Sequence, residues 1–133
     1  MIILNVDDDA EDREVFIEAV HEVDPAIECF EAENGQKAFD LLKDGLLVAR
    51  LEFVFVDINM PVMDGIKLLR LMKADDQLKN IEVYIYTTSQ YSDEIKKVEA
   101  LGARYIRKTN DYKSLVALLR SILVPKLVRQ QQR

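Results

Sequence analysis

The sequence predicts a three-layer, doubly wound α/β protein, in which helices cover both faces of a five-stranded parallel sheet. Five short apolar segments alternate along the chain with five segments whose apolar residues recur at helical spacing. Strict alternation of this kind is typical of parallel strands joined by right-handed crossovers, which place helices on both sides of a sheet. The stretch Phe53–Val56 is apolar at every position, as expected for a central strand buried on both faces.

The elements follow one another in regular order. The predicted strands are Ile2–Val6, Ile27–Ala32, Leu51–Asp57, Ile81–Thr87 and Arg104–Arg107. The predicted helices lie near Glu11–Val23, Gln36–Lys43, Ile66–Lys73, Asp93–Leu101 and Lys113–Val124. In the first helix Phe16, Ala19 and Val20 share one buried face. Ser92 is a good N-cap for the fourth helix because serine is favoured at that position.

The last helix carries more apolar residues than one buried face needs. Its predicted buried stripe consists of Leu115, Leu118, Leu119 and Ile122. Val116 and Leu123 then lie together on one flank, which is either an interaction surface or the periphery of the core. The predicted domain spans residues 1–124, and residues 125–133 are predicted to form a short polar tail.

Composition limits the classes of function. With 49% hydrophobic and 32% charged residues, the chain of 133 residues is typical of one globular domain. Its net charge of −6 argues against a nucleic-acid-binding face, which would need clustered lysine and arginine. The one cysteine, Cys29, excludes an internal disulfide and suits a reducing compartment. Neither a signal peptide nor a membrane-spanning stretch is recognisable, so we expect a cytoplasmic protein.

Residues 5–12 read NVDDDAED and place five acidic groups in eight residues, directly after the first predicted strand. Each like-charged pair at ~5 Å costs roughly 3 kcal/mol at an effective dielectric constant of ~20. One interpretation is a helix N-terminal cap, which suits Asp9 because acidic groups stabilise that end of a helix. The other interpretation, for Asp7 and Asp8, is a binding site whose ligand offsets the repulsion.

Polar residues at the ends of other strands favour a binding site. Asp57 ends the third predicted strand, Thr87 ends the fourth, and Lys108 follows the fifth. The carboxyl ends of parallel strands meet at one edge, where such sheets bind ligands. Three carboxylates form a suitable site for Mg²⁺, which prefers oxygen ligands. A carboxylate there could attack phosphorus and form an aspartyl phosphate, with Lys108 and Thr87 contacting the transferred group.

Four sequence motifs resemble the receiver domain of bacterial two-component response regulators. They are VDDD at 6–9, FVDINMPVMDG at 55–65, YTTS at 86–89 and GARYIRK at 102–108. The resemblance extends from Ile2 to about Leu123, nearly the whole chain. It implies a flavodoxin-like fold with strand order 2-1-3-4-5.

The resemblance also implies a role for each site residue. Asp57 would accept a phosphoryl group from a phosphohistidine of a sensor histidine kinase or a phosphotransfer protein. Asp7 and Asp8 would form the acidic pair of the Mg²⁺ site, with Asp8 a direct ligand. Asp57 and the backbone carbonyl of Asn59 would complete the metal ligands.

The remaining motif residues would form the switch. Thr87 would be the switch hydroxyl, Lys108 the phosphate-binding lysine and Tyr105 the switch aromatic residue. Two features depart from the family pattern: Arg104 stands alone between Ala103 and Tyr105, and Thr109 replaces the usual proline after Lys108. Because a cis peptide before a non-proline residue costs ~3 kcal/mol, we predict a trans peptide there.

The predicted function is that of a single-domain response regulator, which catalyses only its own phosphorylation and dephosphorylation. Its expected output is a contact with a target protein or a second copy, through the fourth predicted helix, the fifth strand and the fifth predicted helix. Neither nucleic acid nor membrane is an expected partner. One alternative is a receiver-like scaffold that works without phosphate. Another is an aspartyl phosphatase of the haloacid dehalogenase type. That class carries its nucleophile in a D-x-D motif on the first strand, whereas Asp57 lies on the third predicted strand and Asn59 replaces the second aspartate.

Overall fold

Five parallel strands form one sheet in the computed structural model, which describes residues 1–132. The order across the sheet is β2-β1-β3-β4-β5, and every neighbouring pair is parallel. The strands are β1 (Ile2–Val6), β2 (Glu28–Ala32), β3 (Leu51–Val56), β4 (Glu82–Thr87) and β5 (Arg104–Arg107). The fold class and strand order are therefore those predicted.

Six helices connect and cover the strands in the described chain. They are α1 (Ala10–Val23), α2 (Gly35–Leu41), α3 (Gly45–Arg50), α4 (Gly65–Lys73), α5 (Ser92–Ala100) and α6 (Tyr112–Gln131). The five predicted helices are all present, and α3 was not predicted. Asp44 caps α3, but Leu47 is its one buried residue, so the segment has no recognisable apolar stripe. The N-cap of α5 is Tyr91 rather than Ser92, which forms the first residue of the helix.

Hydrophobic clusters fill both faces of the sheet. Alternate residues of β1 point to opposite sides, so that Leu4 joins one cluster and Ile3 the other. Phe16 of α1 and Leu119 of α6 belong to the Ile3 cluster, whereas Leu68 of α4 belongs to the Leu4 cluster. With both faces covered, the carboxyl edge of the sheet remains for polar residues. No helix within residues 1–132 has the length and apolar character needed to cross a membrane.

The last helix differs from its prediction at its C-terminal end. We expected it to stop at Val124 and a tail to begin at Pro125, but α6 continues through Pro125 to Gln131. Lys126 Nζ lies 3.6 Å from Glu52 and 3.3 Å from Glu82, at the start of β3 and β4. Gln130 Nε2 donates to Glu52 Oε1 at 2.7 Å. These contacts with the sheet offset the local cost of a proline inside a helix. Whether the domain itself ends at residue 124 stays a prediction.

Of the two interpretations of the flank formed by Val116 and Leu123, the structure supports the core and not an interaction surface. Val116 is 9% exposed and Leu123 is 0% exposed, and both pack in the cluster that contains Phe16. Leu118 and Ile122, predicted to be buried, are half-buried instead. The physical reason is that α6 packs against both the sheet and α1. Its buried face is therefore wider than the predicted stripe and rotated around the helix relative to it.

We expect the C-terminal turns of α6 to stabilise the domain. A chain that ends at Val124 loses the partly buried Leu127 and the Lys126 contacts, so its free energy of unfolding should fall by about 1–3 kcal/mol. Urea denaturation of the chain that ends at Val124, compared with a control chain that lacks only residues 132 and 133, measures the difference in the free energy of unfolding. Equal denaturation midpoints would show that the extension does not stabilise the fold.

Candidate functional site

Backbone hydrogen bonds extend the sheet by one residue at its carboxyl edge and fix the positions of the predicted site residues. The Asp57 amide donates to Val6 O at 2.9 Å, and the Lys108 amide donates to Thr87 O at 2.8 Å. The Asp7 amide likewise donates to Ala32 O at 3.0 Å. The side chains of these residues therefore start from well-defined points on a rigid sheet.

Three carboxylates converge at this edge. Asp7, Asp8 and Asp57 each offer an oxygen atom within 4.8 Å of those of the other two. Asp7 and Asp57 are buried, whereas Asp8 is exposed. Burial raises the pKa of the Asp7 carboxyl, although its hydrogen bond with Lys108 acts in the opposite direction. The arrangement concentrates negative charge where it is poorly solvated.

Lys108 is the cation that partly balances this charge. Its ammonium group donates to Asp7 Oδ2 at 2.6 Å and to Asp57 Oδ2 at 3.1 Å. A third contact joins it to Asp12 Oδ2 at 2.9 Å. Burial acts to lower the pKa of Lys108, but the hydrogen bonds with Asp7 and Asp12 outweigh it, so the pKa is raised. Lys108 therefore stays charged.

Asp12 is a site residue that sequence reasoning missed. It belongs to the same acidic stretch as Asp7 and lies in the first turn of α1. That position was a signal that it could reach the carboxyl edge. Asp9, by contrast, caps α1 as predicted, because its side chain accepts from the Glu11 and Asp12 amides.

The buried hydroxyl of Thr87 contacts Asp57 directly. Thr87 Oγ1 donates to Asp57 Oδ1 at 2.5 Å, and the Ile58 amide donates to the same oxygen at 2.7 Å. Two donors thus occupy Oδ1, while Oδ2 accepts from Lys108. The carboxylate is held in one orientation at the bottom of the site.

A chain of contacts leads from Thr87 to Tyr105. The Ser89 amide donates to Thr87 Oγ1 at 3.3 Å, and the Tyr105 hydroxyl donates to the carbonyl of Ser89. Ser89 Oγ donates to Glu94 Oε1 at 2.5 Å in the first turn of α5. Tyr105 is half-buried and packs against the cluster that contains Leu4. The predicted switch residues are therefore connected, even with Arg104 alone before Tyr105.

The peptide between Lys108 and Thr109 is trans, as predicted, since the described chain contains no cis peptide. Lys108 reaches both Asp7 and Asp57 in this conformation. The side chain of Lys108 therefore reaches the carboxylates without a proline at the next position.

The loop after Asp57 folds back against this residue. Asn59 is exposed on this loop, and the ligand role of its carbonyl stays a prediction. The Gly65 amide donates to Ile58 O at 2.9 Å and begins α4. A Cβ atom at Gly65 would lie 2.1 Å from the carbonyl oxygen of Asp57, so a side chain does not fit there. Gly65 thereby lets the loop fold back against Asp57.

Comparisons with known proteins agree with this geometry. The family profile of the response regulator receiver domain matches residues 3–120. The phosphate regulon transcriptional regulatory protein PhoB of Pseudomonas aeruginosa is 32% identical over 122 residues. That match covers 91% of this chain and 51% of PhoB, so the chain spans about half the length of this relative.

Solved structures show the same fold. The phosphorylated cyanobacterial phytochrome response regulator RcpA is 26% identical, with a TM-score of 0.81 over 91% of this chain and 89% of RcpA. The Mn²⁺-bound form of the response regulator Rcp1 is 26% identical, with a TM-score of 0.78 over 91% of this chain and 90% of Rcp1. The chain belongs to the response regulator receiver domain family.

Proposed function

We propose that this protein accepts a phosphoryl group on Asp57 from a phosphohistidine of a sensor kinase or phosphotransfer protein, and that phosphorylation changes its contacts with other proteins. The observation that carries the proposal is the environment of Asp57: its carboxylate contacts both the Thr87 hydroxyl and the Lys108 ammonium group. A cytoplasmic location is part of the proposal, and a lone, half-buried cysteine with no disulfide partner in the chain is in keeping with it.

The chemistry requires little more than positioning and charge balance. An Asp57 oxygen forms the new bond to phosphorus while the bond from phosphorus to the histidine nitrogen breaks, and the imidazole leaves. Negative charge spreads over the three other oxygens of the transferred group. Lys108 and Thr87 supply an ammonium group and a hydroxyl that donate hydrogen bonds to these oxygens.

The donor set fits Mg²⁺. Asp7, Asp8 and Asp57 offer oxygen ligands within 4.8 Å of one another, which suits a hard divalent cation. Asp8, Asp57 and the Asn59 carbonyl would hold the ion, with Asp7 beside it. When bound, the ion would neutralise negative charge on the carboxylates and the phosphoryl oxygens. The Mn²⁺-bound form of Rcp1 supports a divalent ion in this family.

The alternatives are less well supported. A dehalogenase-type phosphatase needs its nucleophile on the first strand and a second aspartate two residues later. Here Asp57 follows β3, and Asn59 occupies the second position. A scaffold that works without phosphate would have no use for the contacts of Thr87 and Lys108 with Asp57.

Intact mass after incubation with phosphoramidate and Mg²⁺ tests the proposed function. We expect one added phosphoryl group on the wild-type protein and on Asp76→Ala, a matched change of an exposed aspartate. We expect none on Asp57→Ala. An unmodified wild-type protein, or a phosphorylated Asp57→Ala variant, would contradict the proposal.

For the output we favour the face formed by α5, β5 and α6, which corresponds to the predicted fourth helix, fifth strand and fifth helix. The contact of Tyr105 with the Ser89 carbonyl supports this choice, because Ser89 also contacts Thr87. A coupling free energy of ~1–3 kcal/mol would change affinity for a target protein or a second copy about five- to hundredfold.

The aspartyl phosphate should be short-lived, in the range of minutes. In the family, the residues two after the phosphorylated aspartate and two after the switch threonine line the path of water. Here they are Asn59, which is exposed, and Ser89, whose hydroxyl donates a hydrogen bond to Glu94. Neither shields the phosphoryl group. Loss of the added mass after donor removal measures the lifetime, and Asn59→Leu should lengthen it. A phosphoprotein that persists for many hours with Mg²⁺ would contradict this expectation.

A further inference from the structure

Arg13 of α1 places a second cation beside the carboxylate cluster, but it does not pair with the carboxylates of that cluster. Its Nη1 donates to the backbone carbonyl of Asp7 at 2.6 Å, and its Nε pairs with Glu31 of β2 at 3.2 Å. The side chain is only 17% exposed. By charge alone, a guanidinium group at this position should weaken the binding of a divalent cation. Its presence beside the proposed Mg²⁺ site therefore needs a reason other than charge.

The carbonyl of Asp7 needs a hydrogen-bond donor. Asp7 is buried and follows the last residue of β1. Among residues 1–132, no backbone amide outside the regular elements donates to its oxygen. A buried carbonyl without a donor costs free energy, and a charged donor forms a short, strong hydrogen bond with it. Arg13 supplies that donor.

This carbonyl belongs to the peptide unit that joins Asp7 to Asp8. Because the peptide unit is planar, a fixed oxygen also fixes the direction in which the backbone enters Asp8. After Asp8, the Asp9 amide donates to Asp7 Oδ1 at 3.0 Å, and Asp9 caps α1. The Asp8 side chain is exposed and forms no ion pair within residues 1–132. The position of the Asp8 carboxylate therefore depends on its backbone.

We infer that Arg13 is a positioning residue for the proposed Mg²⁺ site. Through Glu31 its guanidinium group ties the peptide between Asp7 and Asp8 to β2, and this places the Asp8 carboxylate near Asp57 before an ion binds. A site ordered in advance binds more tightly, because the ordering is not charged against binding. The inference deepens the proposed function and rests on Asp8 as a metal ligand.

The test compares Arg13→Gln with Arg50→Gln in the full chain. Arg50 also pairs with a glutamate of β2, Glu28, at 2.8 Å, but Glu28 begins the strand whereas the metal site lies at its other end. Each variant therefore loses one positive charge and one ion pair with β2. Mg²⁺ is titrated at constant ionic strength, and amide chemical shifts give its dissociation constant. Asp8→Ala is titrated in parallel, and circular dichroism confirms that each variant folds.

We expect Arg13→Gln to bind Mg²⁺ about tenfold more weakly than the wild type, as for other groups that orient a metal ligand. Arg50→Gln should bind within about twofold of the wild type, because its charge is distant and screened. Charge alone predicts the opposite sign, with tighter binding by Arg13→Gln. Unchanged or tighter binding by folded Arg13→Gln would overturn the inference. If Asp8→Ala instead kept the wild-type affinity, the metal site itself would be wrong, and the inference with it.

Hydrogen exchange of the metal-free protein gives a second readout that does not involve the ion. Exchange of the Asp9 amide, which donates to Asp7 Oδ1, should be about tenfold faster in Arg13→Gln and unchanged in Arg50→Gln. Equal exchange of this amide in Arg13→Gln and the wild type would overturn the inference. Uniformly faster exchange along the whole chain would also overturn it, because Arg13 would then only stabilise the fold.

Discussion

Replacing Asp8 with alanine is expected to slow Mg²⁺-dependent phosphorylation of Asp57 by at least about a hundredfold, because the ion loses a direct ligand. Lys108 donates to Asp7 and Asp57 but not to Asp8, so Asp8 is the carboxylate of the three that has no contact with this lysine. It is also exposed. The fold should therefore survive the change, and removal of one like charge from the cluster should leave thermal stability equal or slightly higher.

The experiment measures the phosphorylation rate as a function of Mg²⁺ concentration. Glu11→Ala is the matched control, because Glu11 is an exposed acidic residue of the first turn of α1 outside the carboxylate cluster. Thermal unfolding followed by circular dichroism confirms that both variants fold. An unchanged Mg²⁺ dependence in a folded Asp8→Ala protein would remove Asp8 from the metal site.

Replacing Gly65 with alanine should have the largest effect on stability. The new Cβ atom would lie 2.1 Å from the carbonyl oxygen of Asp57 and 3.0 Å from its carbonyl carbon. Both are backbone atoms, so relief requires a shift of the loop or of Asp57 itself. We expect the free energy of unfolding to fall by at least about 3 kcal/mol. Phosphorylation should slow as well, because Asp57 would move relative to Thr87 and Lys108.

Gly45→Ala is the matched control for this change. A Cβ atom at Gly45 meets nothing within 4 Å, and the residue begins α3. Alanine there should leave stability unchanged or raise it by up to about 1 kcal/mol, since it favours helix. Denaturant midpoints of the two variants give the comparison. If Gly65→Ala unfolded at the same midpoint as Gly45→Ala, the result would show that Gly65 does not pack closely against the backbone of Asp57.

The sheet and the cluster at its carboxyl edge could be predicted from the sequence for a physical reason. An apolar run that ends at a polar residue marks both the strand and the place where it leaves the core. Asp7, Asp57 and Thr87 occupy such places, Lys108 follows the last strand, and the parallel sheet brings the ends of these strands together. Prediction therefore succeeded where local pattern and topology determine position.

The features that sequence reasoning missed depend on contacts between distant residues. Pro125 favours a helix end locally, but Lys126 contacts Glu52 and Glu82 and the helix continues. The contact of Asp12 with Lys108 joins residues that are far apart in sequence. The burial of Val116 follows from packing of α6 against α1 as well as the sheet, which spacing along one helix does not reveal.

The central claim is that Asp57 accepts the phosphoryl group, and the most direct test of it is to identify the residue that carries this group. Borohydride reduces an aspartyl phosphate to homoserine, so reduction after phosphorylation with Mg²⁺, followed by proteolysis and peptide mass analysis, identifies the modified residue. We predict homoserine at position 57 alone and none when Mg²⁺ is withheld. Reduction at another aspartate, or homoserine formed when Mg²⁺ is withheld, would contradict the account of this site.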